Sequence, residues 1–284
     1  MIPTTFDYQR ATSLDDAIAK LTAAGGAAKL LAGGHSLVPL MKLRLSEPKA
    51  LVDIGRLKDL AGVREKDGAI QIGAATTHHD VATSTFLAER CPIIAEAAGE
   101  IGDPQVRNCG TVGGSLAHAD PAADYPAVML ALDAEIHVKG PSGWRKIRAQ
   151  DFFQNLFTVD LGPNEIIAGV QFSAVRTAAY AKLHQRASHF AIVGVAAALE
   201  LDGGTIRSAR VGLTGASTHG MRLPAVERAL AGKPATAETI AAAAQSAGAD
   251  LEVVNSDIHA SEEYRRAMIP VFTRRALERA LERA

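Results

Sequence analysis

Two glycine pairs, each trailed by a serine, limit what this chain can become: Ala32-Gly33-Gly34-His35-Ser36-Leu37 and Thr111-Val112-Gly113-Gly114-Ser115-Leu116. Each sits where an apolar run gives way to small residues. Glycine has no Cβ, so its backbone turns tightly and admits a phosphate against main-chain N–H groups. Two such bends in one domain suit the two halves of a diphosphate, which makes a dinucleotide the ligand to expect. The first pair matches neither a Walker loop, which needs Lys-Ser or Lys-Thr straight after the last glycine, nor the Rossmann fingerprint. By its own residues it reads as an anion cradle on an unspecified fold.

With 284 residues, 48% of them apolar and 21% charged, the chain has room for a substantial core and two or three subdomains. A net charge of −1 supplies no field that would gather nucleic acid or anionic lipid. The opening Met1-Ile2-Pro3-Thr4-Thr5-Phe6-Asp7 lacks the basic and apolar regions of a signal peptide. The longest apolar run, 190–199, is too short for a bilayer, so a cytoplasmic location is expected. Cys91 and Cys109 are the only cysteines, too few for an iron–sulfur cluster or a Cys₄ zinc. Any iron–sulfur centre serving this protein is expected on another chain.

Ser13, with an acid three residues on, predicts a capped helix to about Ala24, closed by Gly25-Gly26. Strands are expected at 28–32 and 50–54, giving a small α/β unit over 1–56. A second unit over 57–176 has an alternating strand at 69–74, a helix start at Thr77, and a helix over 92–101. Asp120 as cap and Pro121 in the first turn predict a helix to about Leu132. A hairpin at 135–148 and a strand at 165–172 complete it. From 177 to 284 a separate module is expected, with strands at 180–183, 192–201 and 206–213, then alanine-rich helices at 223–230, 237–247 and 261–281.

Around the second bend Thr111 and Ser115 offer hydroxyls, Arg107 a positive charge, and Asp124 a carboxylate placed to accept from a ribose or ribityl hydroxyl. His35 lies inside the first cradle. Adjacent His78 and His79 point in different directions on a helix and have no further ligands at short spacing, so a capped helix start is the better reading than a metal site. Arg265, Arg266, Arg274, Arg275, Arg279 and Arg283, interspersed with acids, suggest a solvated or partner-facing helix rather than a DNA-binding one.

The pairing of Ala-Gly-Gly-His-Ser-Leu with residues 106–124, Val-Arg-Asn-Cys-Gly-Thr-Val-Gly-Gly-Ser-Leu-Ala-His-Ala-Asp-Pro-Ala-Ala-Asp, resembles the FAD-binding medium subunit of molybdenum hydroxylases. That family includes aerobic carbon monoxide dehydrogenase and the xanthine dehydrogenase group. The likeness spans essentially the whole chain, and Ser-Leu-Ala-His-Ala-Asp-Pro resembles the carbon monoxide dehydrogenase branch in particular. Many relatives have Asn where Ser115 stands, a conservative departure.

The resemblance implies an α+β fold of the vanillyl-alcohol-oxidase (PCMH) type. Two α/β subdomains, 1–56 and 57–176, would grip FAD, and a carbon monoxide dehydrogenase flavoprotein-like α+β module, 177–284, would cover it. By the same likeness Lys29, Leu30, Leu31, Ala32, Gly33, Gly34, His35, Ser36 and Leu37 line the diphosphate and ribityl chain. Thr111, Val112, Gly113, Gly114 and Ser115 make the opposing loop. Asp124 is the family's hydroxyl-binding carboxylate, Ile101 and Ile167 are apolar walls, and Lys182 is a polar contact from the third module.

The function so implied is electron transfer: FAD on this chain would accept electrons from 2Fe-2S clusters on a small subunit. A large molybdopterin subunit would oxidise the substrate, within a dimer of heterotrimers. No catalytic side chain and no metal site is expected here, and the missing cysteines argue against an additional 4Fe-4S cluster. A stand-alone FAD-dependent oxidoreductase of related fold would instead show substrate-dependent flavin reduction without partners. A non-redox nucleotide-binding module would give no flavin spectrum.

Overall fold

Three sheets organise the chain, which the computed structural model describes from residue 1 to residue 284. In the first, β1 (Asp7–Arg10) leads through α1 (Leu14–Ala23) to β2 (Ala28–Leu31), and α2 (Leu37–Lys42) leads on to β3 (Ala50–Asp53). The strands run parallel in the order β1-β3-β2, which requires such crossover connections. Ser13 caps α1 as its sequence predicts, accepting a hydrogen bond from the Asp16 amide at 3.0 Å. Ala17, Ile18 and Leu21 form the buried face of α1 and share a small core with Val52 and Ile54.

The second sheet begins with β4 (Val63–Lys66) and β5 (Ala69–Gly73). Six short helices follow: α3 (His78–Ala82), α4 (Thr85–Arg90), α5 (Pro92–Gly99), α6 (Pro104–Cys109), α7 (Val112–His118) and α8 (Tyr125–Ala131). Next come the hairpin β6 (Glu135–Gly140) and β7 (Gly143–Arg148), a turn of helix α9 (Ala149–Phe152), the small hairpin β8 (Phe153–Asn155) and β9 (Thr158–Val159), and β10 (Ile166–Ser173). The sheet is antiparallel in the order β4-β5-β10-β6-β7. Its last strand in sequence therefore closes its middle. Ile70, Ile72, Ile136 and Val138 point to one face, every second residue, and meet Tyr125 and Met129 of α8 in the largest core.

The third sheet is a meander of β11 (Ala178–His184), β12 (Ala191–Asp202), β13 (Thr205–Thr214) and β14 (Met221–Arg222). After α10 (Pro224–Leu230), β15 (Lys233–Pro234) pairs with β13, and α11 (Ala237–Ala244) and α12 (Glu262–Leu281) complete the chain. Strand β12 reads as an unbroken apolar run because both of its faces are covered. Ala196 and Ala198 turn to the core under α8, while Val193, Val195, Ala197 and Leu199 turn to the core under α12. The third module is thus bonded to the second through a shared core.

Three expectations are corrected. The second glycine pair is not a loop: Gly113 and Gly114 form the first turn of α7, capped by Thr111. The helix expected from Asp120 starts only at Tyr125. Asp120 Oδ1 accepts from the Ala122 amide at 2.9 Å in a side-chain turn. The carbonyls a helix would use are taken by the third module: Pro121 O accepts from Gly215 N at 2.7 Å and Ala122 O from Ala191 N at 3.1 Å. On α12, Arg265 is buried and donates to Ile192 O, Gly215 O and Asp257. Arg279 and Arg283 reach the carbonyls of Tyr180 and Ala178 and share Glu96 of α5. Those three arginines hold the fold together, whereas Arg266 and Arg274 make ordinary (i, i+4) surface pairs.

Candidate functional site

Beyond Leu31 the chain turns through Ala32-Gly33-Gly34-His35-Ser36 into α2. The backbone N–H groups of Gly33, Gly34, His35, Ser36 and Leu37 find no acceptor anywhere in the chain. None of these residues is buried, so the five successive donors are open to water or to a ligand, an arrangement that can serve as a concave anion receptor. Gly34 adopts φ +72°, in the left-handed region where glycine is favoured. At Gly33 the need is space: a Cβ there would lie 2.1 Å from Cys109 O and 2.8 Å from Gly110 Cα. Only glycine lets the first bend press against the residues that lead into the second.

The second bend differs chemically. Val112 N donates to Thr76 O at 3.0 Å, Gly113 N to Ala74 O at 2.8 Å, Gly114 N to Thr111 Oγ1 at 3.1 Å and Ser115 N to Thr111 O at 3.0 Å. Its amides are therefore engaged within the protein. Gly113 is needed for packing, since a Cβ there would meet Ala74 Cβ at 2.5 Å. The two bends do not share the work of gripping an anion: the first presents amides, and the second presents the Ser115 hydroxyl and a bare backbone surface.

Both bends line one cavity of about 760 Å³, within the size range of ligand sites. Lys29, Leu30, Ala32, Gly33, Gly34, His35, Ser36 and Leu37 form one wall. Thr111, Gly113, Gly114 and Ser115 stand opposite, and Ile101, Asp124 and Ile167 complete the set expected from sequence. Leu31, Val112 and Lys182 do not line the cavity. Leu31 packs beneath Gly34, and Val112 is fully buried in α7. Arg107 also stays outside, donating to Ile101 O at 2.9 Å and Gly102 O at 3.0 Å to brace the turn between them.

Lys182 acts through Asp124. Asp124 Oδ1 accepts from the Tyr180 hydroxyl at 2.6 Å and lies 2.7 Å from Lys182 Nζ, which also donates to Glu100 O at 2.9 Å. The Lys182 and Asp124 side chains are 1% and 4% exposed. Although Asp124 immediately precedes α8, its carboxylate makes no capping bond. Burial pushes that carboxyl up, against the pull of Lys182 and Tyr180, and burial likewise raises the Tyr180 phenol. Both donors converge on Oδ1, so Oδ2 has no partner in the chain and is left to the cavity.

Among the contributors that sequence reasoning missed are the following two. The turn between β11 and β12 brings Ser188, His189 and Phe190 over the cavity, with His189 at φ +61°. Gln185 ties this turn, its Oε1 accepting from the Ser188 amide at 2.5 Å. No local pattern marks these residues, because only the docking of the third module carries them there. The other is His78, which lines the floor of the cavity.

Comparison with known proteins accounts for the whole chain. Residues 4–173 match the family described as the FAD-binding domain in molybdopterin dehydrogenase, and residues 178–280 the CO dehydrogenase flavoprotein C-terminal domain. The carbon monoxide dehydrogenase medium chain of Afipia carboxidovorans is 40% identical, over 100% of this chain and 99% of its own. The 6-hydroxypseudooxynicotine dehydrogenase complex subunit alpha of Paenarthrobacter nicotinovorans is also 40% identical, over 100% and 97%. Among solved structures, carbon monoxide dehydrogenase from Hydrogenophaga pseudoflava matches with a TM-score of 0.95 at 40% identity, all of both chains being covered.

Proposed function

We infer the role of this chain from its family, for it belongs to the FAD-binding subunits of molybdopterin dehydrogenases. It is the flavoprotein subunit of a multi-subunit molybdenum hydroxylase. The observation that carries the reading is that the five unpartnered amides from Gly33 to Leu37 and Asp124, whose Oδ2 has no partner in the chain, belong to residues lining one cavity. An FAD molecule has a pyrophosphate, a chain of hydroxyls and a flat ring system. The amide run suits the first, Asp124 the second, and the apolar walls of Ile101, Ile167 and Phe190 the third. We assign the cofactor site accordingly: the Gly33–Leu37 amides at the diphosphate, Thr111, Gly113, Gly114 and Ser115 as the opposing loop, with Lys182 holding Asp124 in place. Residues 1–56 and 57–176 act as the gripping halves and 177–284 as the cover.

Bound FAD supplies a group that accepts electrons singly and stores two. The chain itself binds that group, orients it and limits water around it. The Gly33–Leu37 amides would hold the diphosphate, Asp124 would hold a hydroxyl of the linking chain, and the Ser188–Phe190 turn would cover the ring end. Substrate oxidation, in this reading, takes place on a partner chain. A large molybdopterin chain carries that step, and a small 2Fe-2S chain delivers electrons here, in a dimer of heterotrimers. No helix is long and apolar enough to cross a membrane, and we place the complex in the cytoplasm.

Two relatives of equal identity carry different substrates in their names, carbon monoxide for one and 6-hydroxypseudooxynicotine for the other. That is the expected pattern when substrate choice belongs to another chain. Titrating FAD into the purified full chain should give about one bound flavin per chain with an altered absorbance spectrum. The flavin should stay oxidised when carbon monoxide, aldehydes or N-heterocycles are added alone. A chain that remains colourless with excess FAD would remove the basis of the reading.

A further inference from the structure

We propose that His78 is a fixed, uncharged hydrogen-bond donor to the bound dinucleotide, its Nε2–H meeting a phosphate oxygen beside the Gly33–Leu37 amides. This rests on the FAD reading above. Thr77 caps α3 and sends the two adjacent histidines apart: His79 is exposed, whereas His78 is 5% exposed. The His78 backbone N–H donates to Gly110 O at 2.9 Å, tying α3 to the second bend. Its ring Nδ1 is 3.3 Å from the hydroxyl of Tyr125, with ring centroids 5.3 Å apart.

The tautomer follows from hydrogen-bond bookkeeping. Tyr125 is fully buried, burial holds its phenol protonated, and its hydroxyl has no other partner in the chain. That hydroxyl therefore donates to Nδ1. A neutral imidazole that accepts at Nδ1 carries its hydrogen on Nε2. Burial and the neighbouring charges of His35 and Arg107 keep the ring neutral, its pKa pushed down to about 4.

Nε2 itself has no partner in the chain, yet it is not sealed from the cavity that His78 lines. A Cβ on Gly110 would fall 2.6 Å from Nε2, and Gly110 is the residue against which Gly33 is pressed. The donor thus emerges where the amide run begins. A histidine with only a packing role would need neither the phenol that fixes its tautomer nor an open Nε2.

The test uses the full chain as wild type, His78→Leu, His78→Gln and Tyr125→Phe. FAD affinity is read by flavin fluorescence and apo stability by thermal unfolding. His78→Leu should bind FAD about 10–100-fold more weakly, the range for a hydrogen bond to a charged group. His78→Gln, whose amide NH₂ reaches a similar point, should stay within about fivefold of wild type. Tyr125→Phe should weaken binding by about two- to tenfold, since the tautomer is then no longer imposed. Imidazole ¹⁵N spectra of the flavin-loaded wild type should show Nε2 protonated, and the ³¹P signal of bound FAD should move in His78→Leu. Wild-type binding with an unchanged His78→Leu affinity overturns this inference alone, as does an Nδ1-protonated ring. If His78→Leu fails to fold, Tyr125→Phe and the wild-type ¹⁵N spectrum decide. A wild type that binds no FAD overturns both the inference and the reading beneath it.

Discussion

Asp124 and Lys182 form a pair that neither partner survives losing. With both side chains nearly sealed from water, removing one leaves an uncompensated buried charge. Asp124→Ala and Lys182→Ala should each destabilise by about 3–5 kcal/mol, whereas Asp124→Leu with Lys182→Met should cost less than either. Urea unfolding of the three variants reads this directly. At His78 the sign of a pH effect is fixed. The unfolded residue titrates near 6.5 and the folded one near 4. As pH falls through that window the unfolded chain binds the proton first, so stability is full above the window and falls through it. Going from about pH 7 to about pH 5 should cost wild type about 2 kcal/mol that His78→Gln does not lose, as measured by urea unfolding.

Two bends that look alike in sequence become different elements. Glycine pairs announce tight backbone in both, but the amides after Gly33 stay unpartnered while those around Gly113 are engaged with Ala74, Thr76 and Thr111. Gly33→Ala should therefore abolish FAD binding, since its Cβ cannot coexist with Cys109 O. Thr111→Val should cost about 1 kcal/mol of stability through the lost cap, with FAD affinity changing little. Flavin titration beside thermal unfolding separates the two outcomes, and a similar loss of affinity in both variants would contradict the division of labour. Their difference was not legible in the sequence, because it depends on which carbonyls β5 and its following turn bring alongside. The start of α8 eluded the sequence for a similar reason: Asp120-Pro121 is a good helix opening until Gly215, Thr214 and Ala191 claim the neighbouring carbonyls.

Across the whole molecule, the third module completes both the core and the site. Ala178, Tyr180, Ala196 and Ala198 belong to the same core as Ile70 and Met129. Tyr180 and Lys182 hold Asp124, and Glu96 clamps Arg279 and Arg283 from α12. A chain ending at residue 176 should therefore expose the α8 face, aggregate and bind no FAD, as size-exclusion chromatography and flavin titration would show. The contrast with Glu96→Ala is informative. That pair network is partly solvated, so its loss should cost only about 1 kcal/mol, appearing as faster amide exchange in α12.

By itself the sequence determined the elements whose signals are local: the Ser13 cap, the alternating strand at 69–74, the hairpin at 135–148, and the two glycine bends that carry the family likeness. Each depends on residues within a few positions of one another, where backbone sterics and side-chain period act directly. Only the tertiary structure decided which amides stay free, that Arg265, Arg279 and Arg283 turn inward, that Lys182 serves Asp124, and that Phe190 and His78 reach the cavity. Those outcomes turn on partners far apart in the chain, such as Gly33 with Cys109 or Tyr180 with Asp124. A hydrogen-bonding group has no fixed role until folding sets what stands opposite it.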